Sequence, residues 1–437
     1  MTARERSFVK TATAFLLLSF FIIPMYADAD EITNKVTRTQ DSLTAIVSRL
    51  YSEGNYQKVV ECAVQNDSIS SSSKLLYYYG MGCAALYNYP KAQEYFQIIT
   101  RQDSQNVNYH FQFARLLLQS GFSDDAIVEL KTCIALDSLY LPASFQLGLM
   151  YNSLKKDPEK EIEIFSFLVR QNPDDFLSLY YVGDALRRIG LSDSGIIYVQ
   201  RSIDKNPRYF PSLVAMANYK NGKKDYAEAK EYYRSANTIR RRDKDVIFQI
   251  GECYRKLGFL PEAIQHYKEA IAIDSLTAVY FAQLGYAYYS RGSYDSSITA
   301  YEKAIELDND NVQYYRNLAL VFQKIDSVQG VVQTYNRGIA ALHPENISYE
   351  YNSLAAYYFS KHLWRKAAET YSTVYDFNPK NVDALYWCGY SFMQVPEKKS
   401  ARRSFERYLK IIENDSSKVQ ERKSAAHLIG ILTGKKE

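Results

Sequence analysis

Small side chains recur along this chain at a nearly constant interval and separate short stripes of apolar residues. Within residues 278–311, the first stripe has the spacing of one helix face. Its members are Phe281, Leu284, Gly285 and Tyr288. Gly292 interrupts that pattern, and a second stripe with helical spacing ends before Asp308. The pattern predicts a helix, a short turn and a second helix.

The same unit repeats ten times, and we call the small residue on each first helix its rung. The rungs are Gly80, Ala114, Gly148, Gly183, Ala217, Gly251, Gly285, Ala319, Ala355 and Gly389, at intervals of 34 to 36 residues. A second, mostly small ladder follows each rung by 12 or 13 residues. Small residues at both ladders let two helices cross closely. One such pair cannot bury both of its stripes, so the pairs are expected to stack into a solenoid.

The repeat resembles the tetratricopeptide repeat family. The matching residues are the pairs Leu147-Gly148 and Leu284-Gly285, the tyrosines Tyr151, Tyr254 and Tyr288, the turn glycines Gly121, Gly190, Gly258 and Gly292, and the terminal prolines Pro173, Pro207, Pro344 and Pro379. The resemblance implies an all-α, right-handed superhelical solenoid. Ten repeats are expected over 73–414, after a divergent first repeat at 39–72 and before a capping helix and tail at 415–437.

The N-terminus has the order of a secretory signal peptide. Basic residues at Arg4, Arg6 and Lys10 precede an apolar stretch from 12 to 24, and Ala29 closes a small-residue motif. We expect a signal peptide at 1–29, a linker at 30–38 and export, most simply to the periplasm, with an envelope-associated or secreted protein as the other outcomes. An uncleaved anchor is the alternative, although the apolar run is shorter than the ~20 residues that a membrane-spanning helix needs.

Charge, cysteines and histidines narrow the function. Removal of 1–29 lowers the formal net charge from +4 to +3, which argues against a nucleic-acid binder. The five cysteines are expected to be mostly free and packed, with one disulfide between Cys62 and Cys83 as the alternative. The five histidines are scattered, and no metalloprotease, serine-hydrolase or phosphate-loop motif occurs. No catalytic residue, metal or cofactor is therefore predicted.

The resemblance also places ligands along the concave surface made by the first helices. On this chain, that surface corresponds to the positions three residues before and one residue after each rung. The predicted protein-binding or peptide-binding residues there are Tyr77, Phe111, Arg115, Phe145, Tyr180, Asp184, Asn218, Phe248, Glu252, Tyr286, Arg316, Asn352, Tyr386 and Tyr390. Tyrosine gives a large contact area for a modest loss of entropy. The competing interpretation is that tyrosine, with 40 copies, is simply the packing residue of this chain.

Irregularities in the repeat raise further hypotheses. In the third unit one extra residue enters near Lys155, and Glu161 replaces the small residue of the second ladder. We expect a longer turn with Ile162 in the inner place, or else a bend in the solenoid. Near 340 two residues are inserted, and a change of curvature between 335 and 365 is the corresponding hypothesis.

Two further motifs lie at the ends of repeats, one of them a single run of arginines and the other a recurrent triplet. The run Arg240–Arg242 ends a second helix, where cations favour the macrodipole, so we expect a solvated end, with a phosphate-binding or glycan-binding patch as the alternative. Asp-Ser followed by an aliphatic residue recurs, as at Asp274-Ser275-Leu276, and suits helix starts. That triplet also resembles an O-glycosylation acceptor of some Gram-negative bacteria, which leaves modification open.

Together these features predict a scaffold. The favoured function is an exported protein that holds proteins or extended peptides in an aromatic-lined groove, in the assembly or maintenance of an envelope complex. The alternative is a membrane-tethered sensor or regulatory subunit that retains its N-terminal segment.

Overall fold

Helices account for all the regular secondary structure of the described residues. The computed structural model describes residues 29–65, 72–341 and 344–434, and these form two compact units that divide after Lys205. The first unit contains α1 (Ala29–Ser52), α2 (Tyr56–Gln65), α3 (Ser73–Ala85), α4 (Tyr89–Gln102), α5 (Val107–Gln119), α6 (Ser123–Leu136), α7 (Leu141–Met150), α8 (Pro158–Gln171), α9 (Phe176–Arg188) and α10 (Ser192–Lys205). Within the unit, each helix pair packs against the next, as the repeat predicts.

The second unit continues the same alternation of first and second helices. It contains α11 (Phe210–Gly222), α12 (Tyr226–Ile239), α13 (Lys244–Lys256), α14 (Leu260–Ile273), α15 (Ala278–Arg291), α16 (Tyr294–Leu307), α17 (Val312–Lys324), α18 (Val328–Ala341), α19 (Pro344–Ser360), α20 (Trp364–Phe377), α21 (Asp383–Met393), α22 (Lys398–Ile411) and α23 (Val419–Thr433). Helix α23 lies where a capping helix is predicted, and its Ala425 is fully buried in the cluster formed by the last repeat.

Local sequence explains where these helices start and stop. Asp and Asn side chains accept a hydrogen bond from a backbone N–H of the first turn, as Asn106 does from Tyr109 and Asp243 does from Val246. Several helices carry proline in the first turn, where its missing N–H leaves no hydrogen bond unmade. The turn glycine Gly292 has φ of +82°, a conformation that glycine adopts without steric cost. The alternation of helix and turn is thus encoded residue by residue.

The two ladders pack as their small side chains require. A Cβ on Gly285 would lie 3.0 Å from the ring of Tyr301, and one on Gly148 would lie 2.8 Å from the ring of Phe165. In both repeats the large ring of the second helix occupies the space that glycine leaves, and both rings are almost completely buried. At Gly183 and Gly195 the two helices come so close that an added Cβ would meet backbone atoms of the facing helix.

The third repeat corrects one expectation. Ile162 does not take the inner place, because Glu161 itself is fully buried there. Its carboxylate accepts hydrogen bonds from Arg188 and, at 2.9 Å, from Asn152 Nδ2. Burial raises the pKa of Glu161, and Arg188 opposes that rise. A π-helical turn at Tyr151–Lys155 takes up the extra residue, so the longer turn is present and the buried charge is paired.

Other expectations meet the structure at the N-terminus and the cysteines. Residues 30–38 are not a linker but form the beginning of α1. None of the five cysteines, all of which lie in the described residues, forms a disulfide, so the alternative bond between Cys62 and Cys83 is absent. The predicted signal peptide lies outside the described residues except for Ala29, and the insertion near 340 falls partly on residues 342–343, which are also outside them.

Over the described ranges, no helix combines the length and the apolar character that a membrane crossing demands.

Candidate functional site

All fourteen predicted binding residues lie on first helices, and none of them is fully buried. Six belong to the first unit and eight to the second. We call these positions the inner row: three residues before and one residue after each rung. The two positions behave differently.

The aromatic residues three positions before the rung hold consecutive repeats together. Phe145 lies with its ring centroid 5.6 Å from that of Phe165 in its own repeat and 6.2 Å from that of Tyr181 in the next. Phe248 contacts Tyr267 and Tyr280 in the same way, at 5.5 and 4.8 Å. Each ring is half-buried, so packing explains most of its surface. The packing interpretation of tyrosine and phenylalanine therefore applies to this half of the row.

The other aromatic residues three positions before a rung are Tyr77, Phe111, Tyr180 and Tyr386. Tyr77 contacts Phe96 and Tyr109, Phe111 contacts Tyr140, Tyr180 contacts Tyr181, and Tyr386 contacts Phe405 and Tyr408, all with centroid distances of 5.3 to 6.0 Å. These contacts fix the rings in place, which lowers the entropy that a bound partner would remove.

Polar residues one position after the rung satisfy buried phenols. The hydroxyl of Tyr233 donates a hydrogen bond to Asn218, and the hydroxyl of Tyr267 donates one to Glu252. Burial and then the charge of Glu252 raise the pKa of Tyr267, so this phenol remains neutral and acts as a donor. The sequence pattern gave no sign of this role, because the donor and acceptor stand on different helices.

Glu252 also belongs to a polar cluster with Arg255 and the exposed ring of Tyr286. Arg255 donates hydrogen bonds to Glu252 at 2.7 and 3.0 Å. The guanidinium carbon of Arg255 lies 5.3 Å from the ring centroid of Tyr286, which is 43% exposed. This arrangement presents a cation and a phenol side by side, and both groups can contact a peptide.

The charged residues Asp184 and Arg316 each bind an oppositely charged side chain of the fold. Asp184 binds Arg188, and Arg316 binds Glu350. Asp184 accepts hydrogen bonds from Arg187 and Arg188, at 2.8 and 3.1 Å, and so holds Arg188 against Glu161. Arg316 is treated below. In contrast, Arg115 is exposed, and its guanidinium donates to Gln112 of its own helix, at 3.2 Å.

Arg316 binds a carboxylate that is almost inaccessible to solvent. Its Nε donates to Glu350 Oε1 at 2.6 Å, and the side chain of Glu350 is 1% exposed. The guanidinium carbon of Arg316 lies 4.0 Å from the ring centroid of Tyr349. Burial raises the pKa of Glu350, whereas Arg316 lowers it. Asn352 lies two residues after Glu350 on α19 and is half-buried.

The structure adds a residue that the row did not include. Trp387, two positions before its rung, is 42% exposed and lies 5.4 Å from Phe359 and 6.2 Å from Tyr390, centroid to centroid. Phe359 also contacts Trp364 at 5.1 Å. The chain has only these two tryptophans, and both contact Phe359. The rarity of tryptophan was the one sign of this cluster in the composition. Tryptophan is the residue most enriched in protein-binding hot spots, together with tyrosine and arginine.

In the part of the chain that the structure describes, no three histidine, cysteine or carboxylate side chains are grouped closely enough to hold a metal ion.

Comparisons with known proteins agree with the repeat. A family model described as TPR repeat matches residues 251–289 and 285–326, and one described as Tetratricopeptide repeat matches 210–243. A search of curated proteins gave no match.

Several solved structures match parts of this chain at low identity. They include a tetratricopeptide repeat protein from Parabacteroides merdae, with 13% identity over 57% of this chain and 98% of that chain and a TM-score of 0.41. YrrB, a TPR protein with an unusual peptide-binding site, has 14% identity over 40% of this chain and 91% of its own, with a TM-score of 0.37. MamA has 19% identity over 38% of this chain and 91% of its own, with the same TM-score.

Proposed function

We propose, since the chain is a tetratricopeptide repeat protein with multiple repeats, that it is an exported scaffold whose inner row holds one or more proteins or extended peptides. This repeat fold is typically a non-catalytic interaction scaffold, which fits a chain whose motifs predict no catalytic group. The order of the N-terminal residues supports export, with the periplasm as the compartment and an envelope complex as the setting.

One observation carries the binding surface: the exposed Trp387 in a preorganised aromatic cluster. Its ring already contacts Phe359 and Tyr390, so a partner that covers it loses little side-chain entropy. The exposed face of Tyr286, beside Arg255, supplies a second anchor in the same unit. We therefore place the main partner contacts at Trp387 and Tyr286, and assign the half-buried rings of the row to support.

Site-specific photocrosslinking tests this surface in intact cells. Benzoylphenylalanine at position 286 or 387 is expected to give discrete crosslinked species. The same probe at Phe259 or Phe122 is expected to give none, although these residues are 52% and 51% exposed, because they lie in turns outside the row. In addition, Trp387→Ser should remove the species formed from position 286, whereas Phe259→Ser should leave it. Crosslinking at the turn positions equal to that at positions 286 and 387 would exclude the proposed binding surface.

Cleavage of the N-terminal segment separates the scaffold from a tethered sensor. We expect Edman sequencing of the protein isolated from its native envelope to begin at Asp30, directly after the small residues that end at Ala29. A retained segment, with Met1 or Thr2 as the first residue, would instead support the membrane-tethered sensor or regulatory subunit.

A further inference from the structure

One repeat carries a run of positive charge at its end, where most of the others do not. Most other second helices are followed by an acidic or amide residue and then a small residue or proline, as at Asp137-Ser138, Asp274-Ser275 and Asn378-Pro379. The equivalent segment after α12 is Arg240–Arg242. A cation near a helix C-terminus is favourable, but one would suffice for that effect.

The structure separates the three arginines. The guanidinium carbon of Arg240 lies 4.1 Å from the ring centroid of Phe210, so this residue packs against the aromatic ring. Arg241 and Arg242 instead line a cavity of about 520 Å³ between α12 and α14. Arg242 does so with φ of +67°, a backbone conformation that is uncommon for a side chain of this kind.

A second cavity of about 590 Å³ lies along the same two helices and adds Arg208. Both cavities are lined by Asn237 and Thr238, so we describe them together as the basic groove. Its floor is apolar, because the buried Ile247 and Ile250 of α13 line one cavity each. The walls of the basic groove come from the second helices α12 and α14 and from the loops around them, and none of its lining residues belongs to the inner row.

The cations of the groove are only partly neutralised. Arg234 pairs with Glu231 at 3.6 Å, and the ring of His266 lies 3.1 Å from Glu269. Arg208, Arg241 and Arg242 are exposed, and among the described residues none of their guanidinium groups forms an ion pair or hydrogen bond. The groove therefore offers three uncompensated positive charges over an apolar floor.

A buried hydrogen-bond acceptor in the same groove limits which class of ligand fits there. Asn237 Oδ1 is buried and, among the described residues, has no hydrogen-bond partner. A buried polar atom without a partner is unfavourable, so a ligand with an N–H donor gains by meeting it. Phosphate at neutral pH supplies acceptors chiefly, whereas a peptide supplies carboxylates for the arginines and backbone N–H groups for Asn237.

We propose that the basic groove binds an extended acidic peptide segment of a partner protein. The 14-residue α12 is about 21 Å long at ~1.5 Å per residue, which accommodates roughly six residues of extended chain at ~3.3 Å each. Carboxylates pair with Arg208, Arg241 and Arg242, apolar side chains rest on Ile247 and Ile250, and a backbone N–H donates to Asn237. This interface adds to the inner row, and either one can exist without the other.

Fluorescence anisotropy with the full mature chain tests the groove. The probe is a fluorescein-labelled peptide of alternating glutamate and serine, and its lysine-serine counterpart serves as the charge control. We expect Arg241→Gln combined with Arg242→Asn to weaken binding by about 10-fold or more, since two charge-assisted contacts are lost. Asparagine is chosen at 242 because it tolerates positive φ. The wild-type affinity should also fall steeply with added salt.

Three further measurements decide the outcome. The matched variant Lys398→Gln with Lys399→Gln removes two exposed charges from α22 and should leave the affinity unchanged. Asn237→Leu should weaken the peptide severalfold without changing the affinity for inorganic phosphate. Equal affinity in the Arg241/Arg242 variant, or displacement of the peptide by inorganic phosphate at equimolar concentration, would overturn the proposal. The latter result would indicate a simple anion patch.

Discussion

A single methyl group at position 195 should strongly destabilise the first unit. In Gly195→Ala, the added Cβ would lie 2.5 Å from the carbonyl oxygen of Gly183 and 3.3 Å from the backbone nitrogen of Arg187. Backbone atoms within a packed helix cannot rotate away as a side chain can, so α9 and α10 must separate. We expect the free energy of unfolding to fall by about 2–3 kcal/mol, within the range seen for overpacked cores.

Two other glycines serve as controls for that result. Gly80→Ala should cost less, because its Cβ meets the ring of Phe96 at 3.0 Å and a ring can shift. Gly222→Ala meets nothing within 4 Å and lies at the end of a helix, so it should be neutral or stabilising by up to ~1 kcal/mol. Urea unfolding followed by circular dichroism gives the ranking, and hydrogen exchange shows whether α9 and α10 lose protection. Similar stabilities for Gly195→Ala and Gly222→Ala would contradict the close backbone approach.

The Arg316→Leu substitution should destabilise the second unit by about 3–5 kcal/mol at pH 7, the usual cost of leaving a buried charge unpaired. Arg316 is the hydrogen-bonding partner of Glu350, whose second oxygen, Oε2, has no partner among the described residues. Both tryptophans lie in the second unit, so tryptophan fluorescence during urea unfolding reports on this unit. A loss of this size would assign Arg316 to the fold before any role in binding.

The pH dependence gives this prediction a separate test. Burial raises the pKa of Glu350 above its ordinary value of 4.5, so the folded chain binds more protons than the unfolded chain. Stability from this group is present at low pH and falls as pH rises from about 4.5 through the folded pKa. Without Arg316, which lowers that pKa, the fall should be larger. Arg316→Leu should therefore be closer to wild type at pH 5 than at pH 7.

A second substitution shows whether charge is the cause. Glu350→Gln in the Arg316→Leu background removes the unpaired charge, so it should recover most of the stability at pH 7 and abolish the extra pH dependence. If the double variant is no more stable than Arg316→Leu, or if the deficit is equal at pH 5 and pH 7, lost packing over the Tyr349 ring is the explanation.

The periodic part of the molecule could be predicted, because each of its contacts joins residues at fixed offsets within a repeat. Gly285 and Ser297, one from each ladder, meet in the structure, where the Ser297 hydroxyl donates to the Gly285 carbonyl oxygen at 2.7 Å. Contacts that occur once were not predictable in this way. Glu161 is buried because Arg188, in the next repeat, reaches it, and no spacing rule specifies that pair. The beginning of α1 carries no repeat signal, which is why residues 30–38 were expected to be a linker.

The candidate site was predictable as a set of positions but not as a set of roles. All the predicted residues lie on first helices, yet periodicity does not distinguish a ring that packs, such as Phe248, from one that is exposed, such as Tyr286. Exposure depends on the size of neighbouring side chains. In the case of Trp387 the informative signal was the rarity of the residue type, because the position two before the rung belongs to neither half of the predicted row.

The phenols that reach Asn218 and Glu252 restrict how this scaffold can acquire new partners. A change at Glu252 that suits a different ligand also strands the hydroxyl of Tyr267 in the interior, at a cost of about 1–3 kcal/mol. Adaptation at such positions therefore requires a paired substitution, with Tyr267→Phe as the simplest companion. Positions without a buried phenol behind them, such as the exposed Trp387, are free to diverge one mutation at a time, so new specificity should evolve there first.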